Sequence, residues 1–198
     1  MRVYVETNFV LELIRGQEQA EPCQRLLEHA TDGQIEMAIP AFCLSEPYVS
    51  IRQRRIDSDA LIRLLARTGF EVARSSSRVE TRQSLKVAET ALCKTLDDEQ
   101  MLHRDVVREI LATAEIIPLG RQVLEAVADD PQGLSFPDSV VFHSVLTDLR
   151  DRPTASAVFL TRDRKDFSTP DIRRELEKGG CDLIPSFADG LKRTGQDG

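Results

Sequence analysis

The chain has 198 residues, which is enough for one well-packed domain or for one domain with a large insertion. Hydrophobic residues make up 41% of it, charged residues 30%, and the formal net charge is −7. This acidic balance argues against a protein that coats long nucleic acids, because such proteins are normally basic. It is compatible with an acidic metal site, since clustered carboxylates would contribute to the same negative charge.

The four cysteines are widely spaced and form no Cys-x-x-Cys pair. They are Cys23, Cys43, Cys93 and Cys181. None lies beside a histidine cluster, which argues against a zinc site. Single scattered thiols in a domain of this size are typical of reduced, mostly buried core residues.

The N-terminal apolar run is short, because Glu6 and Asn8 interrupt it. It has no small-residue cleavage site and falls well below the roughly 20 apolar residues that a membrane span requires. No other segment comes closer. We therefore expect a cytoplasmic protein with no membrane partner.

Strands and helices are predicted to alternate in the first third of the chain. Arg2–Val5 is rich in β-branched and aromatic residues and predicts a strand that ends at a polar triplet. Helical spacing then begins at Phe9, with Thr7 or Asn8 as its N-cap. A helix over residues 22–30, a buried strand over residues 35–39 and a helix that begins at Pro40 follow.

The middle of the chain, residues 57–115, is helical in pattern throughout. The serine triplet at residues 75–77 is its clear break, with one helix predicted before it and one or two long helices after it. We interpret this stretch as a helical insertion in a single domain that covers residues 1–198.

The last third again alternates between apolar segments and helices. The predicted elements are an apolar segment (116–119), a helix (120–128), a turn cluster (129–133), a helix (138–149), a strand (157–160), a helix (171–177) and a final strand (182–185). Continuous apolar strands separated by helices indicate a parallel sheet that is covered on both faces. In such sheets, ligand sites form beyond the carboxyl ends of the strands.

Four acids are predicted to meet at that edge. Glu6 and Asp163 follow strands, while Glu46 and Asp138 lie at or near the starts of helices. At an effective dielectric constant near 20, two unit charges about 4 Å apart repel each other by roughly 4 kcal/mol. Converging carboxylates must therefore be protonated or bind a cation. Hard oxygen ligands without histidine or cysteine favour Mg²⁺ or Mn²⁺, which could activate water against a phosphodiester.

Further polar residues are candidates for substrate binding or for support of the acids. Asn8 could orient Glu6 or cap the helix, and Thr161 could donate to a metal ligand or a phosphate. Asp166 could be a fifth acid or cap the following turn. The arginines Arg52, Arg54 and Arg55 could meet an RNA backbone or form a solvated helix end.

Around the four acids, the chain resembles the PIN-domain family, which includes the toxin ribonucleases of VapBC toxin–antitoxin pairs. The matching segments are VYVETNFVL (3–11), IPAFCLSE (39–46), PDSVV (137–141) and FLTRDRKDF (159–167). Their order and spacing resemble the acidic quartet of the family, and they cover the first and last thirds of the chain. The chain departs from the family pattern at Glu6, where the first acid is usually aspartate.

The resemblance implies an α/β protein with a three-layer α/β/α PIN-like fold, a short parallel sheet and the large helical insertion. It also implies an endoribonuclease that uses Mg²⁺ or Mn²⁺ at the four acids and leaves a 5′-phosphate and a 3′-hydroxyl on RNA. A toxin role would require a cognate antitoxin protein. Exposed apolar residues in the insertion would indicate a homodimer.

Two other classes of function are compatible with the sequence. One is a catalytically weak PIN-like module that binds RNA or another protein, and a titration with Mn²⁺ would separate it from a nuclease. The other is a metal-dependent phosphatase or phosphotransferase. The sequence favours it less, because no Asp-x-Asp motif follows the first strand and there is no glycine-rich phosphate loop.

Overall fold

A parallel sheet lies at the centre of the computed structural model, which describes residues 1–74, 77–130 and 133–195. Within these residues the sheet has five strands in the order β3-β2-β1-β4-β5, and every neighbouring pair is parallel. The strands are β1 (Arg2–Val5), β2 (Glu36–Pro40), β3 (Glu115–Ile117), β4 (Ala157–Leu160) and β5 (Cys181–Ile184). The predicted α/β class and parallel sheet are thus confirmed.

Helices connect and flank the strands. They are α1 (Thr7–Arg15), α2 (Ala20–Thr31), α3 (Ala41–Val72), α4 (Val79–Thr113), α5 (Arg121–Ala128), α6 (Phe136–Asp151), α7 (Arg164–Phe167), α8 (Pro170–Lys178) and α9 (Phe187–Thr194). No helix in the described part of the chain is both long enough and apolar enough to cross a membrane.

The central strands β1 and β4 are buried along their whole length. Their register pairs Val3 with Val158 and Val5 with Leu160. Continuous apolar residues suit these strands because side chains on both faces of the sheet are removed from water. The strand order reverses between β1 and β4, so the carboxyl ends of these two strands flank the crevice where open parallel sheets bind ligands.

Helices cover both faces of this sheet. The Tyr4 hydroxyl donates to Asp148 of α6 at 2.7 Å. Leu160 lies against Gly190 of α9, where an added Cβ would come within 2.6 Å of its methyl groups. Tyr4 is in register with Phe159, the neighbour of Leu160. Because successive strand residues point to opposite faces, α6 and α9 pack on opposite sides of the sheet.

The chain divides into two compact units. One contains the sheet and consists of Met1–Pro47 together with Asp105–Gly198, and the other is Tyr48–Arg104. The second unit is built from parts of α3 and α4, which ion pairs join at Arg54–Glu99 and at Arg55–Asp97. In the insertion, the predicted break at residues 75–77 separates α3 from α4, although Ser75 and Ser76 themselves lie outside the described residues.

One expectation about an individual element is wrong, and the structure adds two short helices that were not predicted. The N-cap of α1 is Glu6 and not Thr7 or Asn8, because the Glu6 carboxylate accepts the backbone N–H of Asn8. The helix that begins after Pro40 continues to Val72 through Pro47, since a proline removes only one hydrogen bond from a 32-residue helix. Helices α7 and α9 were not expected. Pro131 and Gln132 of the predicted turn cluster lie outside the described residues.

Candidate functional site

Glu6 lies where β1 ends and α1 begins, and only 3% of its surface is exposed. Its Oε2 accepts the backbone N–H of Asn8 at 2.7 Å, and its Oε1 accepts the backbone N–H of Arg162 at 3.2 Å. Burial raises the pKa of this carboxyl to about 7, even though these N–H donors favour the charged form. The Glu6 carboxyl is therefore held in place and is close to half protonated at neutral pH.

Glu46, in the second turn of α3, is connected to this position through Thr7. The Thr7 hydroxyl donates to Oε2 of Glu46 in a short hydrogen bond. Cys43 lies beside both acids: burial raises the pKa of its thiol, and the charges of Glu6 and Glu46 raise it further. The structure thus brings Glu6 and Glu46 into one neighbourhood.

Asp163 follows β4, and Thr161 holds it near Glu6. Thr161 is fully buried, and its Oγ1 accepts the backbone N–H of Asp163 at 2.9 Å. The Thr161 hydroxyl also hydrogen-bonds the Glu6 carboxyl. Asp163 is the N-cap of α7, where its Oδ1 accepts the N–H groups of Lys165 and Asp166 at 3.1 and 3.0 Å. Thr161 is therefore a bridge between two of the four acids.

Asp138 lies in the first turn of α6, where Ser135 is the N-cap and its hydroxyl donates to Oδ2 of Asp138. Burial raises the pKa of Asp138, and the negative charges of Asp163 and Asp166 raise it further. Such mutual influence requires that these carboxylates share one electrostatic neighbourhood. Asp166 is thus close enough to act on the site, although its own N–H is capped by Asp163.

We call Glu6, Glu46, Asp138 and Asp163 the acidic edge. Thr161 contacts both Glu6 and Asp163, the charge of Asp163 acts on Asp138, and Glu46 accepts from Thr7, the neighbour of Glu6. No group of three or more histidine, cysteine, aspartate or glutamate side chains within residues 1–74, 77–130 and 133–195 is arranged as a metal site. The donor chemistry fits a hard cation, however, because every candidate ligand is a carboxylate or hydroxyl oxygen. Such a set suits Mg²⁺ or Mn²⁺ better than Zn²⁺.

A cleft of about 750 Å³ is lined in part by Asn8 and Arg162, whose backbone N–H groups contact Glu6, and by Arg15, Glu12 and Glu18; none of the four acids lines it. Glu12 is 1% exposed and pairs with the guanidinium of Arg162, and its Oε2 accepts the N–H of Gln19 at 2.8 Å. Sequence reasoning passed over both Glu12 and Arg162 as functional candidates. Glu12 could have been recognised from its position, because it lies three residues after Phe9 on the buried side of α1.

The arginines predicted to contact RNA belong to the other unit. Arg55 pairs with Asp97 at 2.8 Å and Arg54 pairs with Glu99, so both link α3 to α4. Arg52 is exposed on α3. The proposed contact of Arg52 and Arg55 with RNA stays a prediction.

No family model matches the chain, and no curated protein sequence matches it. Among solved structures, it is similar to the crystal structure of VapBC2 from Rickettsia felis bound to a DNA fragment from their promoter. The identity is 13%, the match covers 93% of this chain and 98% of that chain, and the TM-score is 0.44. Membership of the PIN-domain family therefore stays a prediction from the four sequence segments.

Proposed function

We propose that this chain is a metal-dependent endoribonuclease with a PIN-like fold, and that its acidic edge binds Mg²⁺ or Mn²⁺. The supporting observation is the arrangement of Glu6, Glu46, Asp138 and Asp163. These acids come from four distant segments; Thr7 contacts Glu46, Thr161 contacts Glu6 and Asp163, and Asp138 is related to Asp163 through charge. Bringing a buried carboxylate close to other carboxylates is costly, and a divalent cation offsets that cost.

Each residue has a role in this proposal. Glu6, Glu46, Asp138 and Asp163 bind the cation, while Thr7 and Thr161 orient carboxylates through their hydroxyls. The N–H of Arg162 keeps the Glu6 carboxyl at the end of β1. A divalent ion held by these carboxylates would supply the Lewis acidity for attack of water on phosphorus. The phosphorus–O3′ bond breaks, which leaves a 5′-phosphate and a 3′-hydroxyl.

Protonation of Glu6 couples to cation binding. With a pKa of about 7, this carboxyl carries a proton in a large fraction of molecules at neutral pH. A metal ligand must be deprotonated, so binding of the cation releases this proton. Apparent metal affinity should therefore rise with pH through the neutral range.

The cleft beside the acidic edge is the proposed path of the RNA backbone. Asn8 and Arg15 line it, and they are suited to contact phosphate oxygens. A toxin of a toxin–antitoxin pair, acting in the cytoplasm, is the biological role that the PIN-like segments imply. Its protein partners would be an antitoxin and a second copy of the chain.

Cleavage of a fluorescently labelled single-stranded RNA tests the proposal. Wild-type protein should cleave with Mg²⁺ or Mn²⁺ and stop when EDTA is added. Loss of a residue that only supports a ligand typically costs about 10–100-fold, so Asp138→Asn and Asp163→Asn should each cost at least about 100-fold. Matched controls are Asp171→Asn and Asp189→Asn, because these acids lie in the first turns of α8 and α9. Cleavage that survives EDTA or both site variants would overturn the proposal.

A second candidate is a catalytically weak module that binds RNA or protein. It is favoured by the number of backbone N–H groups that Glu6 and Asp163 already accept, since helix capping alone explains such bonds. Calorimetric titration with Mn²⁺ separates the two candidates. A nuclease should bind Mn²⁺ in a manner that Asp138→Asn weakens, whereas a capping role requires no cation.

A further inference from the structure

A second cleft lies within the helical unit, between the last turns of α3 and the first turns of α4. Its volume is about 530 Å³. The residues that line it include Leu65, Phe70, Arg74, Arg82, Lys86 and Glu89. The cleft thus combines apolar side chains with three basic groups and one acidic group.

The segment around this cleft is basic in an acidic protein. Residues 63–89 contain six arginines and lysines but three glutamates, whereas the whole chain has a net charge of −7. Lys86 is paired with Glu89 at 3.2 Å. Arg74 and Arg82 are exposed, and neither forms an ion pair with any acid in the described part of the chain. Two guanidinium groups are thus available for an external anion.

Phe70 is the most exposed large apolar side chain of the described residues, at 83%. It lines the same cleft as the two unpaired arginines. An exposed aromatic ring beside cationic side chains is the composition that binds single-stranded nucleic acid, because bases stack on the ring while the cations neutralise phosphates. The excess of positive charge in residues 63–89 complements the phosphates of a nucleic acid, and this charge complementarity favours nucleic acid as the occupant of the cleft.

We propose that this cleft binds single-stranded RNA, with a base on Phe70 and phosphates on Arg74 and Arg82. The choice of RNA as the nucleic acid rests on the proposed endoribonuclease function. The helical unit then provides substrate affinity through its own surface, in addition to the residues beside the acidic edge. Binding at this cleft requires no divalent cation.

Fluorescence anisotropy with an oligouridylate RNA of about 20 nucleotides, in EDTA, measures this binding without cleavage. The Arg74→Ala/Arg82→Ala protein should bind at least about tenfold more weakly than wild type. Each neutralised phosphate of a single strand contributes about 0.7 to the slope of log affinity against log salt, so the double variant should lower that slope by about 1.4. The control is Arg25→Ala/Arg121→Ala, which removes the same charge from exposed positions of the other unit.

Variants of Phe70 test the stacking contact separately. Phe70→Ala and Phe70→Leu should weaken binding by at least about fivefold, while Phe70→Trp should retain it, because only an aromatic ring stacks on a base. Far-ultraviolet circular dichroism checks that each variant is folded. Equal affinity of Phe70→Leu and wild type, or of the double arginine variant and its control, would overturn the proposal.

Three further results are informative. If Phe70→Ala lowers the mass measured by sedimentation equilibrium and leaves RNA affinity unchanged, the cleft binds a second copy and the proposal is wrong. RNA binding that depends on Arg74 and Arg82 in a protein that cleaves nothing would support this proposal and overturn the nuclease. RNA cleavage in a protein whose RNA binding does not depend on Arg74 and Arg82 would support the nuclease and overturn this proposal.

Discussion

The backbone N–H of Arg162 donates to Oε1 of Glu6 at 3.2 Å and thereby joins residues that are 156 positions apart. Glu6 follows β1 and Arg162 follows β4, so the bond connects the ends of the two strands between which the strand order reverses. Because Glu6 also caps α1, its carboxylate is constrained from both sides. The most buried acid of the site is thus positioned by backbone donors from two segments and by the Thr161 hydroxyl, and its protonation should be measurable.

Stability should depend on pH through Glu6. Its folded-state pKa of about 7 lies above its ordinary value of 4.5, so the folded protein keeps a proton that the unfolded chain releases. The stabilising contribution is fully present below pH 4.5 and is lost as pH rises through about 7. Urea unfolding in EDTA measures the free energy of unfolding of Glu6→Gln and of wild type. The difference, variant minus wild type, should rise by about 3 kcal/mol between about pH 4 and about pH 8.

The exposed Glu21, in the first turn of α2, offers the control. Glu21→Gln should follow the wild-type dependence of unfolding free energy on pH. If the curves for Glu6→Gln and wild type are parallel across this range, Glu6 is not the group whose proton the folded state retains.

Thr161 should support cation binding without contacting the cation. Thr161→Val keeps the shape of the side chain but removes the acceptor for Asp163 and the donor to Glu6. Loss of such a supporting bond typically lowers metal affinity by about 10–100-fold, and calorimetric titration with Mn²⁺ would measure it. Thr161→Ser keeps the hydroxyl and should retain the affinity. Equal Mn²⁺ affinity of the two variants would contradict the bridging role.

Asp148 should matter for stability alone. It is 8% exposed, and its Oδ2 accepts from Nε of Arg2 at 2.8 Å and from the Tyr4 hydroxyl at 2.7 Å. Asp148→Ala removes an acid that neutralises the buried guanidinium of Arg2. The substitution should lower the free energy of unfolding by about 3 kcal/mol. Denaturant unfolding at neutral pH measures this loss.

The control for that experiment is Asp151→Ala, which changes an exposed acid in the last turn of α6. It should unfold like wild type. Mn²⁺ affinity should be the same in both variants, since Arg2 lies at the start of β1 and the acidic edge lies beyond its end. A change in metal affinity on loss of Asp148 would contradict this separation of roles.

Much of the fold follows from local patterns. Short apolar runs, of three residues in β1 and four in β4, predict these strands because both are buried on two faces. Helix α9 was not predicted. Its first turn nevertheless has a common capping arrangement, in which the Ser186 hydroxyl accepts the N–H of Asp189.

The site is predictable in its acids but not in its connections. Strand ends and helix starts predict that Glu6, Glu46, Asp138 and Asp163 lie at one edge, since parallel strands point their carboxyl ends the same way. Which acid each hydroxyl contacts depends on packing between distant segments. The bond from Thr7 to Glu46 and the pairing of Glu12 with Arg162 are therefore absent from any local pattern.

Binding of a divalent cation at the acidic edge is tested most directly by X-ray diffraction from crystals soaked in Mn²⁺. We expect an anomalous density peak in contact with carboxylate oxygens of Glu6, Glu46, Asp138 and Asp163, and no such peak in Asp138→Asn/Asp163→Asn crystals. If the acidic edge is open to solvent in the lattice and saturating Mn²⁺ leaves no peak there, the metal-dependent mechanism is contradicted.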